Sequence, residues 1–239
     1  MKKAISHLSL HLKNQMYSFS KRTLDIFISV TAILVLLPLF LPIIIILKFT
    51  GEGEIFYLQE RVGKGGESFK IYKFATMLKN SESIGTGIYT AKNDPRILPF
   101  GNFLRKSKIN ELPQIFNILN GDISVVGPRP LIKKTFNLYD LEDQEFISTV
   151  KPGLTGIGSI IFRNEEELLS DANSNNLENF YEKNITPYKA ALEKWYIKRS
   201  SIFIDIKLIF LTAWVIFFKH SRLPWQLFKD LPKNNIHNY

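Results

Sequence analysis

The sequence contains no cysteine, which excludes disulfide bonds and thiolate metal sites and leaves the redox state of its compartment open. Acidic residues are also few, with 22 Asp and Glu against 31 Lys and Arg, so the formal net charge is +9. A basic balance suits nucleic acid, anionic lipid or a phosphorylated ligand, and charge alone does not choose among them. Histidines are scarce and none is a candidate for chemistry, since all lie near the termini, at His7, His11, His220 and His237.

Signals for nucleic-acid binding are missing as well. The basic residues are dispersed along the chain, and no nucleic-acid recognition motif appears. A membrane-anchored basic protein that binds anionic lipid or nucleic acid is therefore the weakest interpretation, and we expect no nucleic-acid partner. At 239 residues, the chain is long enough for one domain of ordinary size with appendages.

Residues 26–47 form one uncharged run of 22 residues, long enough to cross a bilayer. Pro38 lies in its middle and is expected to bend or break a helix there. The flanks are basic on both sides, Lys21 and Arg22 before the run and Lys48 after it, so charge predicts no single orientation. This pattern predicts a basic N-terminal segment over residues 1–20, followed by a re-entrant membrane helix over residues 21–50. A straight span that tolerates its proline is the alternative.

A second apolar stretch covers residues 202–218 and contains two charged residues, Asp205 and Lys207. Charges within so short a run argue against a membrane span. They favour an amphipathic helix lying in the membrane interface, followed by a polar tail, over residues 201–239. A buried core helix of a soluble domain is the alternative.

The polar residues 51–200 are expected to form one compact globular domain. Two apolar-aromatic runs, residues 55–58 and 69–74, flank the sequence GKGG and predict a β-hairpin. A phosphate-binding glycine loop is the other interpretation of GKGG, but the glycine pattern alone is a weak signal for it.

The stretch INELPQIFNILNG predicts a short amphipathic helix. Pro113 is tolerated only in the first turn of a helix, so Asn110 is the expected N-cap and Gly121 follows the C-terminal end. Apolar residues recur at helical spacing, namely at Leu112, Ile115, Phe116 and Leu119.

Phosphate binding is predicted at the start of this helix. Arg105 and two lysines lie just upstream, and Glu111 stands in the first turn, where it could hold a divalent ion beside a phosphate. Further along, Arg129 lies between Pro128 and Pro130, whose rings stiffen the backbone that presents it. The residues alone therefore indicate a phosphate-handling site beside a membrane.

These motifs together resemble the bacterial sugar transferases, the monotopic phosphoglycosyl transferases that begin the assembly of bacterial surface glycans. The resemblance covers roughly residues 21–156, from the proline-containing apolar helix to KPGLTG. Its quoted segments are QERVGKGG, IYKFATM, DPRI, LRKSKINELPQIFNILNGDISVVGPRPL and KPGLTG.

The resemblance implies a helix-rich α+β domain with a small β-hairpin, one re-entrant membrane helix and interfacial amphipathic helices. It implies transfer of a sugar phosphate from a UDP-sugar to polyprenol phosphate, with Mg²⁺, on the cytoplasmic face of the bacterial inner membrane. Glu111 then corresponds to the metal-binding carboxylate. The phosphate- and substrate-binding candidates are Arg105, Arg129, Lys73, Arg61, Asp94 and Arg96.

The chain departs from the family pattern at the site itself. Asn110 stands where the family has its attacking Asp, Ala75 replaces an arginine, and the segment TGIGSIIFRNEEE differs from the family's TGxxQ pattern. An amide is not a carboxylate nucleophile, so the family's covalent route should fail at Asn110. Either Glu111 is the nucleophile, or Asn110 orients a direct attack by polyprenol phosphate. A non-catalytic relative that binds these ligands and organises glycan enzymes is the alternative function.

Overall fold

The computed structural model describes residues 2–83, 94–163, 181–218 and 221–233, without the side chains of residues 2–14 and 82. The chain divides into two compact units, and each is built from separate stretches of sequence. The first unit contains residues 1–25, 61–69 and 121–239; the second contains residues 26–60 and 70–120. Within the described ranges the fold is α+β, because helices predominate and the strands form two small two-stranded sheets. The predicted segment boundaries at residues 20, 50 and 200 refer to a membrane and stay predictions.

Helix α1 runs from Lys2 to Phe49 and includes the whole predicted apolar segment. Its stretch Gln15–Phe49 is the one described helix long and apolar enough to cross a membrane, with a mean hydropathy of 3.0 over its most apolar window. The helix continues through Pro38 and Pro42, so Pro38 does not end it. A bend at Pro38, and with it the re-entrant course, stays a prediction.

The predicted β-hairpin is confirmed. Strand β1 (Phe56–Val62) pairs with β2 (Ser68–Phe74), and a short 3₁₀ turn, Lys64–Gly66, lies between them. Two backbone amides of this turn donate within the protein, Gly65 to the Ser148 carbonyl at 2.7 Å and Gly66 to the Gly63 carbonyl at 3.2 Å. Because these amides are already used, the turn favours the hairpin interpretation over a phosphate loop.

The second unit places a 3₁₀ turn between two short helices. Helix α2 (Pro99–Lys106) is followed by the turn Ile109–Glu111 and then by α3 (Gln114–Asn120). Gly121 then adopts φ +90°, as expected of a residue that terminates a helix. An apolar core joins one face of α1 to β2 and α2, through Phe40, Ile43, Leu47, Phe74 and Leu104. One face of the C-terminal part of the predicted membrane segment is therefore covered by protein.

The first unit contains a small parallel sheet. Strand β3 (Ser124–Val126) pairs with β4 (Gly153–Thr155), with Ser124 opposite Gly153 and Val126 opposite Thr155. Parallel strands need a long crossover, and here it carries helices α4 and α5. These helices span Lys133–Phe136 and Leu141–Ile147, and α6 (Ile157–Ile161) follows β4.

The C-terminal helices complete the first unit. A π-helical turn, Tyr181–Ile185, leads into α7 (Thr186–Arg199), which is followed by α8 (Ile202–Phe217) and α9 (Leu223–Leu227). Helix α8 has two apolar faces. One face is buried within the unit, through Leu208, Leu211 and Val215, and the other is exposed, with Phe203 at 82% and Phe217 at 80%. The alternative interpretation, a buried core helix, is therefore correct for only one face of α8.

Candidate functional site

The predicted site residues are divided between the two units. Asn110, Glu111, Arg105, Lys73, Asp94 and Arg96 belong to the second unit, whereas Arg61 and Arg129 belong to the first.

Asn110 and Glu111 lie in the 3₁₀ turn that follows α2. The turn is closed by backbone bonds from Glu111 N–H to the Lys108 carbonyl and from Leu112 N–H to the Ile109 carbonyl, both at 3.1 Å. Asn110 is 7% exposed, and its Oδ1 is a buried atom without a hydrogen-bond partner in the described structure. Glu111 is partly exposed. The turn thus presents one accessible carboxylate next to one buried amide oxygen.

The prediction that Asn110 caps the following helix is wrong. The residue in the N-cap position of the turn is Lys108, with φ +59°, and helix α3 begins only at Gln114. A capping side chain accepts from the second or third N–H after it. Leu112 N–H already donates to the turn, and Pro113 has no N–H, so Asn110 has no donor to cap.

Two adjacent side chains of this turn carry oxygen atoms of the kind that bind Mg²⁺. Mg²⁺ binds oxygen ligands, and it is usually held by one or two carboxylates together with substrate phosphates. Glu111 and the unpartnered Oδ1 of Asn110 are two such oxygens on adjacent residues. Among the described residues, no cluster of three or more acidic or His ligands occurs.

Arg105 lies near the C-terminal end of α2, one turn before the 3₁₀ turn. Its Nη1 donates to the sulfur of Met77 at 3.6 Å, and its carbonyl accepts from Lys108 N–H at 3.1 Å. The side chain is partly exposed. The chain therefore brings the predicted arginine, Asn110 and Glu111 into consecutive turns. Ala75, the family's arginine position, is buried and donates its N–H to the Ile55 carbonyl.

Arg129 is presented by a loop that is fixed at each neighbouring residue. Gly127 N–H donates to the Thr155 carbonyl at 2.8 Å, and the Pro128 carbonyl accepts from Gly153 N–H at 2.8 Å. On the other side, the Leu131 carbonyl accepts from Val62 N–H at 2.9 Å. The prolines predicted a stiff loop, and these bonds between distant segments make it stiffer still.

Close backbone contact explains the glycines of this region. A Cβ on Gly153 would lie 2.0 Å from the Gly127 nitrogen, and one on Gly156 would lie 2.2 Å from the Gly127 oxygen. Any side chain at either position would force the two segments apart. The GPRP and KPGLTG motifs therefore pack directly against each other. The remainder of the divergent segment, residues 164–167, lies outside the described residues.

Arg61 also holds the loop that carries Arg129 in place. Its Nη1 donates to the Pro130 carbonyl at 3.1 Å. The sequence predicted Arg61 as a substrate-binding residue. The structure shows that it contacts the backbone directly after Arg129.

Asp94 and Arg96 contact each other. The guanidinium donates through Nη2 to Oδ2 of Asp94 at 2.6 Å and through Nε to Oδ1 at 2.9 Å. Their side chains are 2% and 3% exposed, respectively. A buried, mutually bonded pair is a structural element, so this arrangement does not support the substrate contact predicted for the two residues.

Lys73 stands on β2, and its Nζ lies 3.5 Å from Oε1 of Gln59 on β1. The strand that carries it is fixed by Asn117 on α3, a residue that the sequence did not single out. The amide of Asn117 accepts from Tyr72 N–H at 2.9 Å and donates to the Lys70 carbonyl at 2.8 Å. Asn117 thereby attaches the hairpin to the helix that follows Glu111, and no local sequence signal marks it.

A second unpredicted cluster surrounds Asp205 in the first unit. Its carboxylate, 1% exposed, accepts from Tyr17 at 3.0 Å, Lys21 at 2.8 Å and Tyr196 at 2.8 Å. Burial, followed by the charge of Asp205, raises the pKa of Tyr196, so its phenol remains a donor. The middle of α1 is also bonded to β3, because Asp25 accepts from Ser124 Oγ and Val125 N–H, both at 2.9 Å.

Comparison with known proteins extends the resemblance beyond the quoted motifs. The family described as bacterial sugar transferase matches residues 16–219. The exopolysaccharide production protein ExoY of Sinorhizobium fredii is 32% identical over 207 residues, covering 81% of this chain and 83% of that protein.

Longer relatives also match. The UDP-N-acetylgalactosamine-undecaprenyl-phosphate N-acetylgalactosaminephosphotransferase of Aeromonas hydrophila is 34% identical over 203 residues, 84% of this chain and 44% of that protein. The UDP-glucose:undecaprenyl-phosphate glucose-1-phosphate transferase of Xanthomonas campestris is 35% identical over 205 residues, 84% of this chain. The alignments cover 44% and 39% of these two relatives, so each is more than twice the length of the part that matches.

Proposed function

Since the chain belongs to the bacterial sugar transferase family, we propose that it transfers a sugar phosphate from a UDP-sugar to a polyprenol phosphate. This is the initiating step of bacterial surface glycan synthesis. The observation that carries the proposal is the match over residues 16–219, together with relatives named as undecaprenyl-phosphate sugar phosphate transferases. The motifs of the site lie within the matched range.

The reaction is a displacement at phosphorus. An oxygen of polyprenol phosphate attacks the β-phosphorus of the UDP-sugar, the bond from that phosphorus to the UMP oxygen breaks, and UMP leaves with the electron pair. The products are UMP and a sugar linked to polyprenol through a diphosphate. Because both reactants are anionic, the residues of the chain must hold the phosphates and offset their charge.

We assign these tasks to the residues described above. Arg129 on its fixed loop and Arg105 at the end of α2 bind phosphate oxygens, since a guanidinium offers two parallel donors. The buried Asn110 amide orients the diphosphate, and Glu111 is the carboxylate of the site. A Mg²⁺ ion held by Glu111 and the Asn110 oxygen would supply positive charge to the diphosphate.

Purified protein in nanodiscs, supplied with polyprenol phosphate, Mg²⁺ and a panel of UDP-sugars, tests this function. We expect UMP release with at least one sugar, and only when polyprenol phosphate is present. Absence of release with the whole panel, combined with measurable binding of a UDP-sugar, would favour the non-catalytic alternative instead.

We further propose that the protein lies on the cytoplasmic face of the bacterial inner membrane, with α1 re-entrant and α8 in the interface. The exposed side chains of α1 support contact with lipid, among them Phe27, Leu34, Val35 and Leu41. The exposed apolar face of α8 supports an interfacial position, because Phe203 and Phe217 would otherwise be left in water.

Single cysteines at Ser20 and Thr50 test the re-entrant course, since the chain has no cysteine of its own. Both positions are exposed and lie on either side of the apolar segment. We expect a membrane-impermeant thiol reagent to label both from the cytoplasmic side of inverted vesicles and neither from outside intact spheroplasts. Labelling of one of the two from outside would establish a straight span.

A further inference from the structure

Glu193, a buried acid on α7, lies under the loop that carries Arg129. It is 4% exposed, and it accepts a hydrogen bond from the backbone N–H of Arg129. Its Oε1 packs against Gly158 on α6 so closely that a Cβ there would lie 2.3 Å from this oxygen. The carboxyl therefore occupies a defined place between two helices and the loop.

The charged groups that act on Glu193 are few. They are Lys189, one turn earlier on α7, and Arg129 itself; α6 (Ile157–Ile161) contains no titratable residue. Burial raises the pKa of Glu193 to about 8, although the Arg129 N–H and both cations act to lower it. Lys189 is turned toward aromatic partners, with Nζ donating to the Tyr181 hydroxyl at 2.8 Å and lying 5.0 Å from the centre of the Phe162 ring.

We propose that Glu193 is a positioning residue for the transfer reaction, holding the backbone of Arg129 so that its guanidinium meets a substrate phosphate. The proposal rests on the proposed function for the phosphate-binding role of Arg129. The bond from Arg129 N–H is made to an acidic side chain. The other described bonds are made by backbone groups or by Arg61.

The proposal has a direct pH consequence. At neutral pH Glu193 is mostly uncharged, and the Arg129 charge is left for the substrate. As the pH rises through about 8, Glu193 ionises and its negative charge acts on Arg129, in competition with the phosphate. We therefore expect KM for the UDP-sugar to rise from pH 7 to pH 9, with a smaller change in kcat.

Three variants separate positioning from charge. Glu193→Gln keeps an oxygen acceptor for Arg129 N–H but cannot ionise, so its KM should stay within twofold of wild type at pH 7 and lose the rise toward pH 9. Glu193→Ala removes the acceptor and should raise KM at least fivefold. The exposed Glu182→Gln, just before α7, is the matched control and should behave as wild type at both pH values.

A double-mutant cycle tests whether Glu193 acts through Arg129. If it does, Glu193→Ala should raise KM little further in an Arg129→Ala background. Additive effects of the two substitutions, or a Glu193→Gln variant as impaired as Glu193→Ala, would overturn the proposal.

Two measurements that do not depend on turnover test the contact between Glu193 and Arg129 independently of the proposed function. Hydrogen exchange of residues 127–131 reports only three amides, because Pro128 and Pro130 have none; it should be faster in Glu193→Ala and unchanged in Glu193→Gln. Unchanged exchange in Glu193→Ala would overturn the positioning role even if the enzyme is active.

The pH dependence of stability is the second of these measurements. A raised carboxyl pKa gives stability that is present below the ordinary value and lost as the pH rises through about 8. The unfolding midpoint of wild type should therefore fall relative to Glu193→Gln between pH 6 and pH 9. A constant difference over this range would overturn the expected ionisation. If the exchange and stability results are as expected but no UDP-sugar reacts, the proposed function fails while the Glu193 contact stands.

Discussion

Replacing Glu111 with Gln is expected to reduce UMP release to background, the largest effect on activity in this chain. Glu111 is the accessible acid in its turn, and the neighbouring Asn110 cannot act as a carboxylate. The substitution removes the carboxylate that we propose holds Mg²⁺ or acts as the nucleophile, and a loss of electrostatic stabilisation of this kind costs about 10²–10³-fold in rate. Initial rates of UMP release in nanodiscs measure the effect.

The exposed Glu142 on α5 provides the control, since Glu142→Gln makes the same chemical change away from the turn and should leave the rate unaltered. Intact-protein mass spectrometry of wild type during turnover distinguishes the two routes. A phosphosugar adduct would identify Glu111 as a nucleophile, whereas its absence during steady turnover is expected for direct attack by polyprenol phosphate. Unchanged turnover in Glu111→Gln would remove this residue from the site.

The neighbouring substitution Asn110→Asp tests whether the turn binds Mg²⁺. Because Asn110 is buried and does not cap α3, an added carboxylate there has no helix-capping N–H to receive it. The charge is expected to destabilise the turn unless Mg²⁺ is bound. Mg²⁺ should therefore raise the unfolding midpoint of this variant more than that of wild type. An equal shift in both proteins would argue against a metal site at this turn.

The largest expected effect on stability is that of Asp205→Ala. The substitution leaves the Lys21 ammonium, 17% exposed, and two tyrosine hydroxyls without their shared acceptor. Breaking a buried ion pair by removing one partner costs about 3–5 kcal/mol, which is a large part of the stability of an ordinary domain. Chemical denaturation in detergent micelles, followed by tryptophan fluorescence, measures the loss.

Asp140→Ala is the matched control. Asp140 is exposed at the start of α5 and its side chain makes no capping bond, so its loss should change the free energy of unfolding by less than about 0.5 kcal/mol. Asp205→Asn is expected to lie between wild type and Asp205→Ala, since it keeps one oxygen acceptor but not the charge. Equal stabilities of Asp205→Ala and Asp140→Ala would show that the cluster around Asp205 contributes nothing.

Several features followed from the sequence because they depend on local spacing. The hairpin around GKGG, the long apolar helix and the left-handed Gly121 after α3 are each written into a few consecutive residues. The stiffness of the Arg129 loop was likewise predicted from its two prolines. The family motifs also predicted a reaction, because their order and spacing could be compared with those of a known family.

The 3₁₀ turn at Asn110 is a feature that the local sequence pattern did not predict. The pattern of Leu112, Ile115, Phe116 and Leu119 predicted one helix, and Asn before Pro is a common way to begin one. Backbone bonds of the turn used the Leu112 N–H instead, and Pro113 had none to offer. Asn110 was thereby left with a buried, unpartnered oxygen, a property that matters for chemistry and that capping would have removed.

The sequence by itself determined the apolar helix, the hairpin, the family and the single carboxylate of INELPQ. Only the tertiary structure decided which polar residues hold the elements of the candidate site in place. Arg61 and Glu193 bond to the loop of Arg129, Asn117 bonds to β2, and Asp205 bonds to the N-terminal half of α1. The tertiary structure also decided that Asp94 and Arg96 bond to each other, away from the surface. Apart from this last pair, these residues bond to partners dozens of positions away. Hydrogen bonds between distant segments leave no periodic signal, because their partners meet only once the chain has packed.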